Sequence, residues 1–240
     1  MIKEITSKDN NKLKHAASLK ESKYRKEFNE FLSEGKKSLD MALKAGNVKE
    51  IFTVKPIREV PQDITQYVLK EDLLKKISST KNPEGIVFVC NIVNRKPKKL
   101  NKVVYLDHIN DPGNMGTIIR TALAFDYDAI IVSEGSCDVY NEKAIAASKG
   151  AIFSLPILHG DLNEYREGRQ VIVSALNEKA MDIRDIKKPN SFILVVGNEA
   201  NGVTKEILNS ADIVTKIEII NIDSLNVAIA TGILMDHLKN

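Results

Sequence analysis

Tryptophan is absent from the 240 residues, and aromatic side chains make up only 5% of them. That scarcity argues against a protein that grips single-stranded nucleic acid by stacking bases on rings. Cysteine is equally scarce. Cys90 and Cys137 stand far apart with no Cys or His at ligand spacing, too little for a disulfide framework or a zinc site. Both read as small buried hydrophobes. His15, His108, His159 and His237 are scattered too, and no metal is expected. No apolar run approaches the roughly 18 residues that cross a bilayer. The opening MIKEITSKDNNKLKHAASLK lacks the apolar core and small-residue cleavage site of a secretion signal. The expectation is a cytoplasmic protein with no membrane association.

What is present is ordinary in bulk, 43% hydrophobic and 28% charged, and uneven in detail. Through residue 99 there are 22 Lys+Arg against 13 Asp+Glu; beyond it, 13 against 19. The first half is therefore net +9 and the second net −6, which reproduces the overall +3. A basic half joined to an acidic one points to a division of labour in which the basic half meets a polyanion, although Lys-rich surfaces also serve solubility.

Along the chain, the first 27 residues are Lys-rich and weakly amphipathic, with Leu13, Ala16, Ala17 and Leu19 as the stripe available for burial. FNEFLS reads as a strand, KKSLDMALKAG as a helix ended by Gly46, and VKEIFTV as a half-buried strand. DLLKKISS reads as a short helix and EGIVFVCNIV as a buried strand. The polar, basic stretch Asn94 to Lys102, containing Pro97, is the best linker and divides the chain into domains 1–98 and 99–240. The second half repeats the rhythm more strongly. VVYLDH, AIIVSE, QVIVSAL, SFILVVG and IVTKIEII are apolar strands alternating with helices, the pattern of a parallel sheet covered on both faces. The fold class is α/β, a parallel-sheet domain preceded by a smaller α/β domain.

Ligands of open parallel sheets sit beyond the C-terminal ends of the strands. Three turns fall there: Asp111-Pro112-Gly113-Asn114-Met115-Gly116, Gly197-Asn198-Glu199-Ala200-Asn201-Gly202, and Asn221 to Asn226. The first reads as a tight turn leading into a helix that carries Arg120, positioned to meet a phosphate near the helix N-terminus. A dinucleotide site is the competing reading of this turn, with Glu134 about 20 residues on, but Ile119 and Arg120 fall where its third glycine belongs. Gly197 and Gly202 bracket a loop that lets a ligand approach the backbone. Ser224 reads as a cap for the last helix.

Taken together and in this order, DPGNMGTIIRTALAF, LVVGNEANGV and SLNVAIATGIL resemble the three signature motifs of the SpoU/TrmH-type RNA 2′-O-ribose methyltransferases of the SPOUT superfamily. The resemblance spans residues 102–240. More loosely, FLSEGKKSLDMAL and STKNPEGIVFV resemble the EG-helix and PxGI elements of the substrate-binding domain that precedes the catalytic domain in many relatives.

The resemblance implies a SPOUT domain with a trefoil knot, preceded by a small RNA substrate-binding domain, and S-adenosylmethionine as cofactor. Cofactor contacts are implied for Ser174, Ala175, Leu176, Gly197, Glu199, Gly202, Ile217, Ile219, Ile220, Ser224, Leu225 and Asn226. Catalytic positions are implied for Asn114, Arg120, Glu199, Ser224 and Asn226. The basic N-terminal segment, with Lys3, Lys8, Lys12, Lys14, Lys23, Arg25 and Lys26, is expected to meet RNA together with Arg120. The expected partners are structured RNA, ribosomal first and transfer RNA second, and a second copy of the chain as a homodimer. One stretch departs from the family pattern. Where an Ile-Pro-Met strand end and a glycine are usual, KIEIINID has Glu218, no glycine and one residue fewer. That departure leaves one alternative beside an active enzyme, an RNA-binding protein whose scaffold has weakened or lost cofactor binding; separately, the sequence does not decide between ribosomal and transfer RNA, so an enzyme acting on transfer RNA is a second alternative.

Overall fold

A computed structural model describes residues 1–178 and 180–239. Its contacts divide the chain into two units, Met1–Val93 with Tyr140–Phe153, and Asn94–Val139 with the remainder from Ser154 on.

The first unit is built on a five-stranded mixed sheet. In chain order it contains β1 (Ile2–Ile5), α1 (Asn11–Ser18), α2 (Ser22–Phe28), β2 (Glu30–Glu34), α3 (Lys36–Lys44), β3 (Val48–Thr53), β4 (Thr65–Leu69), α4 (Glu71–Leu74) and β5 (Ile86–Asn91). The sheet order is β1-β4-β3-β5-β2, with β5 antiparallel to both neighbours and β2 at one edge. Leu13, Ala16 and Leu19 do form the buried stripe of the N-terminal segment, packed with Phe52, Tyr67 and Leu74. The strand expected over FNEFLS starts two residues later, because Asn29 takes a left-handed conformation (φ 55°) that ends α2. Phe31 and Phe88, fully buried, meet Phe153, and Phe31 also meets Tyr140 at 4.8 Å between ring centroids. The segment Tyr140–Phe153 thus completes the aromatic part of this unit's core.

The second unit carries the seven-stranded sheet, every pairing in it parallel. It comprises β6 (Lys102–Asp107), α5 (Pro112–Ala124) and β7 (Ala129–Val132). After α6 (Glu142–Ser148), which belongs to the first unit, follow β8 (Ile157–His159), β9 (Gln170–Ser174), β10 (Met181–Asp182) and β11 (Phe192–Gly197). The chain ends with α7 (Lys205–Asn209), β12 (Ile213–Lys216) and α8 (Val227–Leu238). The order β10-β12-β9-β11-β6-β7-β8 puts β11 and β6 near the middle, buried along their whole length. One face packs Val103, Tyr105, Ile131, Val171, Val173, Ile193 and Val195 together. α8 lies against α5 and β11, and the Tyr127 hydroxyl reaches the Met235 carbonyl at 3.3 Å. Among the described residues no helix is long and apolar enough to cross a membrane.

Three local expectations need correction. DPGNMG is not a turn preceding a helix but the first turn of α5. Asp111 is its N-cap and Pro112 its first residue, where a missing N–H costs nothing. The last strand stops at Lys216, so Ile217–Asn226 form an irregular loop. The cap of α8 is Asn226, whose Oδ1 accepts from the N–H groups of Ala228 and Ile229, and not Ser224.

Ile193 lies fully buried in β11 between β6 and β9. Ile193→Ala is expected to lower the unfolding free energy by about 2–5 kcal/mol, as large-to-small core changes do. Urea titration at an unchanged m-value checks it.

Candidate active site

β6, β11, β9 and β12 are consecutive neighbours in the sheet, and their C-terminal ends release the loops that carry the candidate residues. The first is set by the entry to α5. Oδ1 of Asp111 accepts from the Asn114 N–H at 2.8 Å, fixing Asn114 one turn into the helix. From there the Asn114 side chain bridges two distant segments. Its Nδ2 donates to Oε1 of Glu199 at 2.9 Å, and its Oδ1 accepts from Nδ2 of Asn226 at 2.9 Å. Glu199 also accepts from the N–H groups of Asn110 and Asp111, both at 3.3 Å. The order Glu199–Asn114–Asn226 therefore joins all three turns into one hydrogen-bonded chain.

Burial alone would raise the Glu199 carboxyl, but the Asn114 amide and the backbone N–H groups outweigh it and hold the group below its ordinary range. Cys137 responds the opposite way. Burial, with the charges of Glu199 and Asp111 nearby, pushes its thiol up to about 11, so it stays a neutral packing group.

The Glu199 loop is preformed. Asn198 and Gly202 exchange two backbone hydrogen bonds at 3.0 and 2.9 Å, and Gly202 takes φ 69°. A Cβ on Gly197 would lie 2.3 Å from the Gly202 carbonyl carbon and from the Val203 nitrogen, so only glycine fits there. The sequence reading overlooked Asn198. Its Oδ1 accepts from the N–H groups of Ala200 and Asn201, while its Nδ2 holds the His108 carbonyl at 2.8 Å. The signal was available, since an Asn followed by turn residues closes such loops through its own side chain.

The remaining candidates fall into place less tightly. Ser174, Ala175 and Leu176 leave the end of β9, where the Ala175 N–H donates to the Thr215 carbonyl of β12 at 3.0 Å. Ile217, Ile219 and Ile220 follow β12 directly; Leu176 and Ile220 are 64% and 79% exposed, an unusual state for large apolar side chains. Ser224 is exposed and Leu225 half-buried in the loop before Asn226. Arg120 lies eight residues past the start of α5, more than two turns from the helix N-terminus near which it was expected. It is exposed and has no hydrogen-bond or ion-pair partner among the described residues.

The stretch that departs from the family pattern has its own supports. Glu218 is ion-paired to Arg184, whose guanidinium also forks onto Asp182 with two 2.8 Å bonds. Asn221 takes φ 73°, a left-handed conformation that Asn tolerates better than most side chains and that a glycine would otherwise supply.

In the first unit, Lys3, Lys8, Lys12, Lys14, Lys23 and Lys26 are exposed, with Lys12 paired to Glu50 and Lys14 to Asp9. Arg25 corrects the expectation. It is 4% exposed and donates to the carbonyls of Leu19 and Lys20, which commits its guanidinium within the fold and removes it from the basic surface.

Residues 101–236 match the model of the SpoU rRNA Methylase family, and residues 10–87 that of the MRM3-like substrate binding domain. The chain is 36% identical to the 23S rRNA (guanosine(2553)-2′-O)-methyltransferase RlmP of Bacillus subtilis (strain 168), over 99% of this chain and 100% of that one. Among solved structures it is similar to the AdoMet-bound rRNA methyltransferase from Sinorhizobium meliloti. The identity there is 28% and the TM-score 0.89, over 99% of this chain and 97% of the other. The SpoU methyltransferase AviRb from Streptomyces viridochromogenes, at 23% identity and TM-score 0.82 over 95% and 97% of the two chains, shares the fold.

Because the Glu199 carboxyl is depressed in the folded state, its contribution to stability is present above about pH 4.5 and fades as pH falls through the folded value. Glu199→Gln should therefore be less stable than the parent at neutral pH, with the gap narrowing in acid. Thermal melts at neutral pH and below pH 4 check this; a gap that stays constant would mean the carboxylate's charge is not what the loop depends on.

Proposed function

Since the chain belongs to the SpoU rRNA methylase family, we propose that it methylates a ribose 2′-hydroxyl of structured RNA, with large-subunit ribosomal RNA as the first substrate and S-adenosylmethionine as the methyl donor. The single observation carrying this reading is the Glu199–Asn114–Asn226 chain, which brings three separate motifs to one place beyond the strand ends. Residues 1–98 hold the RNA through their exposed lysines, and residues 99–240 carry the transfer, their C-terminal segment threaded as a trefoil knot. The site of action is the cytoplasm.

The residues fit the cofactor. Gly197 lets the Glu199 loop fold back against its own strand end, and the exposed Leu176 and Ile220, past the ends of the paired strands β9 and β12, offer apolar surface suited to an adenine ring. Ser174, Ala175, Ile217, Ile219, Ser224 and Leu225 supply backbone groups around it. When bound, S-adenosylmethionine supplies a methyl already activated by its sulfonium. The protein's task is to align the 2′-oxygen and ease loss of its proton.

A guanidinium is a poor general base, so Arg120 is not the group that takes that proton. It instead orients the neighbouring phosphate and stabilises negative charge developing on the oxygen, while the proton leaves to that phosphate or to water. Asn114 uses one N–H on Glu199 and keeps the other for the ribose. Glu199 and Asn226 are positioning residues that hold Asn114 in its rotamer.

The altered Ile217–Asp223 loop favours one second reading, an RNA-binding protein with lost cofactor affinity. Calorimetry with S-adenosylmethionine separates the two: heat of binding supports the enzyme, and none under conditions where RNA binds supports the alternative. In the enzyme, Arg120→Ala should retain cofactor affinity and lose at least about 100-fold in methyl transfer, the scale of one transition-state donor. Mapping ribose methylation in ribosomal and transfer RNA from cells with and without the protein reads the substrate directly; a lost site in transfer RNA would move the assignment there.

The working unit is a homodimer. α8 leaves Ile229 and Ile233 exposed at 56% and 41%, one turn apart on one face, an apolar stripe that a second copy would cover. Sedimentation should show a dimer that Ile233→Asp converts to monomer; a monomeric parent would refute it.

A further inference from the structure

A cavity of about 540 Å³ in the first unit lies along the edge strand β2, the start of α3 and α6. We propose that it is a seat for a phosphate of the substrate RNA, occupied in the free protein by the carboxylate of Glu84. The proposal rests on the RNA reading above and adds to it a specific anion site and a built-in competitor.

The nine-residue helix α3 begins after Gly35, which has φ 89° and offers no side chain to cap it. Free N–H groups at a helix start attract anions. One of them is already taken. Oε2 of Glu84, 48 residues away in sequence, accepts from the Lys36 N–H at 3.2 Å, and a Cβ on Gly35 would lie 3.1 Å from that same oxygen. A carboxylate thus rests on bare backbone, in the place an external anion would take.

A second observation is independent of the helix. Ser33, on the same cavity, is 4% exposed and its hydroxyl has no hydrogen-bond partner among the described residues. A buried hydroxyl without a partner costs the fold free energy and is rarely retained without a use. A phosphate oxygen would satisfy it.

The charges around the cavity fit an anion richer than a carboxylate. Lys36 is paired to Asp40, whereas Lys37 and Lys149 have no partner among the described residues. Of the acids, Glu34 is engaged by the hydroxyls of Ser78 and Ser79, and Glu142 is exposed on α6. A phosphate brings enough acceptor oxygens to meet the α3 N–H, the Ser33 hydroxyl and a lysine together; the Glu84 carboxylate makes only the first of these contacts. Exchange of one for the other makes RNA binding a competition with the protein's own side chain.

The test uses the full chain. Inorganic phosphate is titrated while the amide resonances of Gly35 and Lys36 are followed. Affinity for in vitro transcribed large-subunit ribosomal RNA, melting temperature, kcat and KM are measured alongside. Glu84→Gln keeps the acceptor on the Lys36 N–H and removes the competing charge, so half-saturation by phosphate and the RNA Kd should both fall several-fold. Ser33→Ala should raise both several-fold at an equal or higher melting temperature, because a partnerless hydroxyl is removed. Neither should alter kcat at saturating RNA. An unchanged phosphate titration in Glu84→Gln, or a Ser33→Ala protein that is less stable yet binds phosphate normally, overturns the proposal. Responsive amides in a protein without methyl transfer would support the seat while ending the enzymatic reading; normal turnover with silent amides would do the reverse.

Discussion

The two hydrogen bonds of the Asn114 side chain are the constraint on which the rest of the active site depends. One carboxamide faces a carboxylate on one side and a second carboxamide on the other, tying residues 114, 199 and 226 together across more than 110 positions of sequence. Each partner is itself anchored. Asn114 is fixed by the Asp111 cap, Glu199 by two backbone N–H groups, and Asn226 by its role as the cap of α8. An amide has donor and acceptor in fixed relation, so a partner on each side locks its rotamer and with it the register of both loops. Glycine at 197 follows from the same geometry, since the loop that brings Glu199 within reach must fold back on its own strand.

The site also shows how much of a family motif is architecture. Asp111 and Pro112 start a helix, Gly197 permits a tight return, and Asn226 caps α8. These residues would be retained in a protein that had lost the reaction. Arg120 is different, because among the described residues nothing engages its guanidinium. An exposed arginine on the helix that also carries Asn114 has no such architectural duty.

Departures from the family pattern are absorbed by local devices. Glu218, in the loop that leaves β12, is paired to Arg184 from the turn after β10, and Asn221 in the same loop takes a left-handed conformation without a glycine. In the first unit the logic runs the other way. Among the described residues the hydroxyl at Ser33 is left without a partner, and a carboxylate from Glu84 covers the start of α3. A fold that compensates so carefully at one place and leaves a polar group unsatisfied at another marks the second for a ligand.

Strands and helices of the second unit were legible in the sequence because burial on both faces writes uninterrupted apolar runs, and helices write a different period. Composition likewise placed the positive charge in the first half, and Leu13, Ala16 and Leu19 were readable as its buried stripe. The motifs themselves located the three turns. Other features required the tertiary structure. The burial of Arg25, the packing of Tyr140–Phe153 with the first unit, and the end of β12 at Lys216 depend on neighbours distant in sequence. So does the choice of Asn226 over Ser224 as the cap, since both residue types suit that place and only the path of the chain selects one. Periodicity records which side of an element is apolar; it carries no information about what that side, or an isolated polar group, will meet.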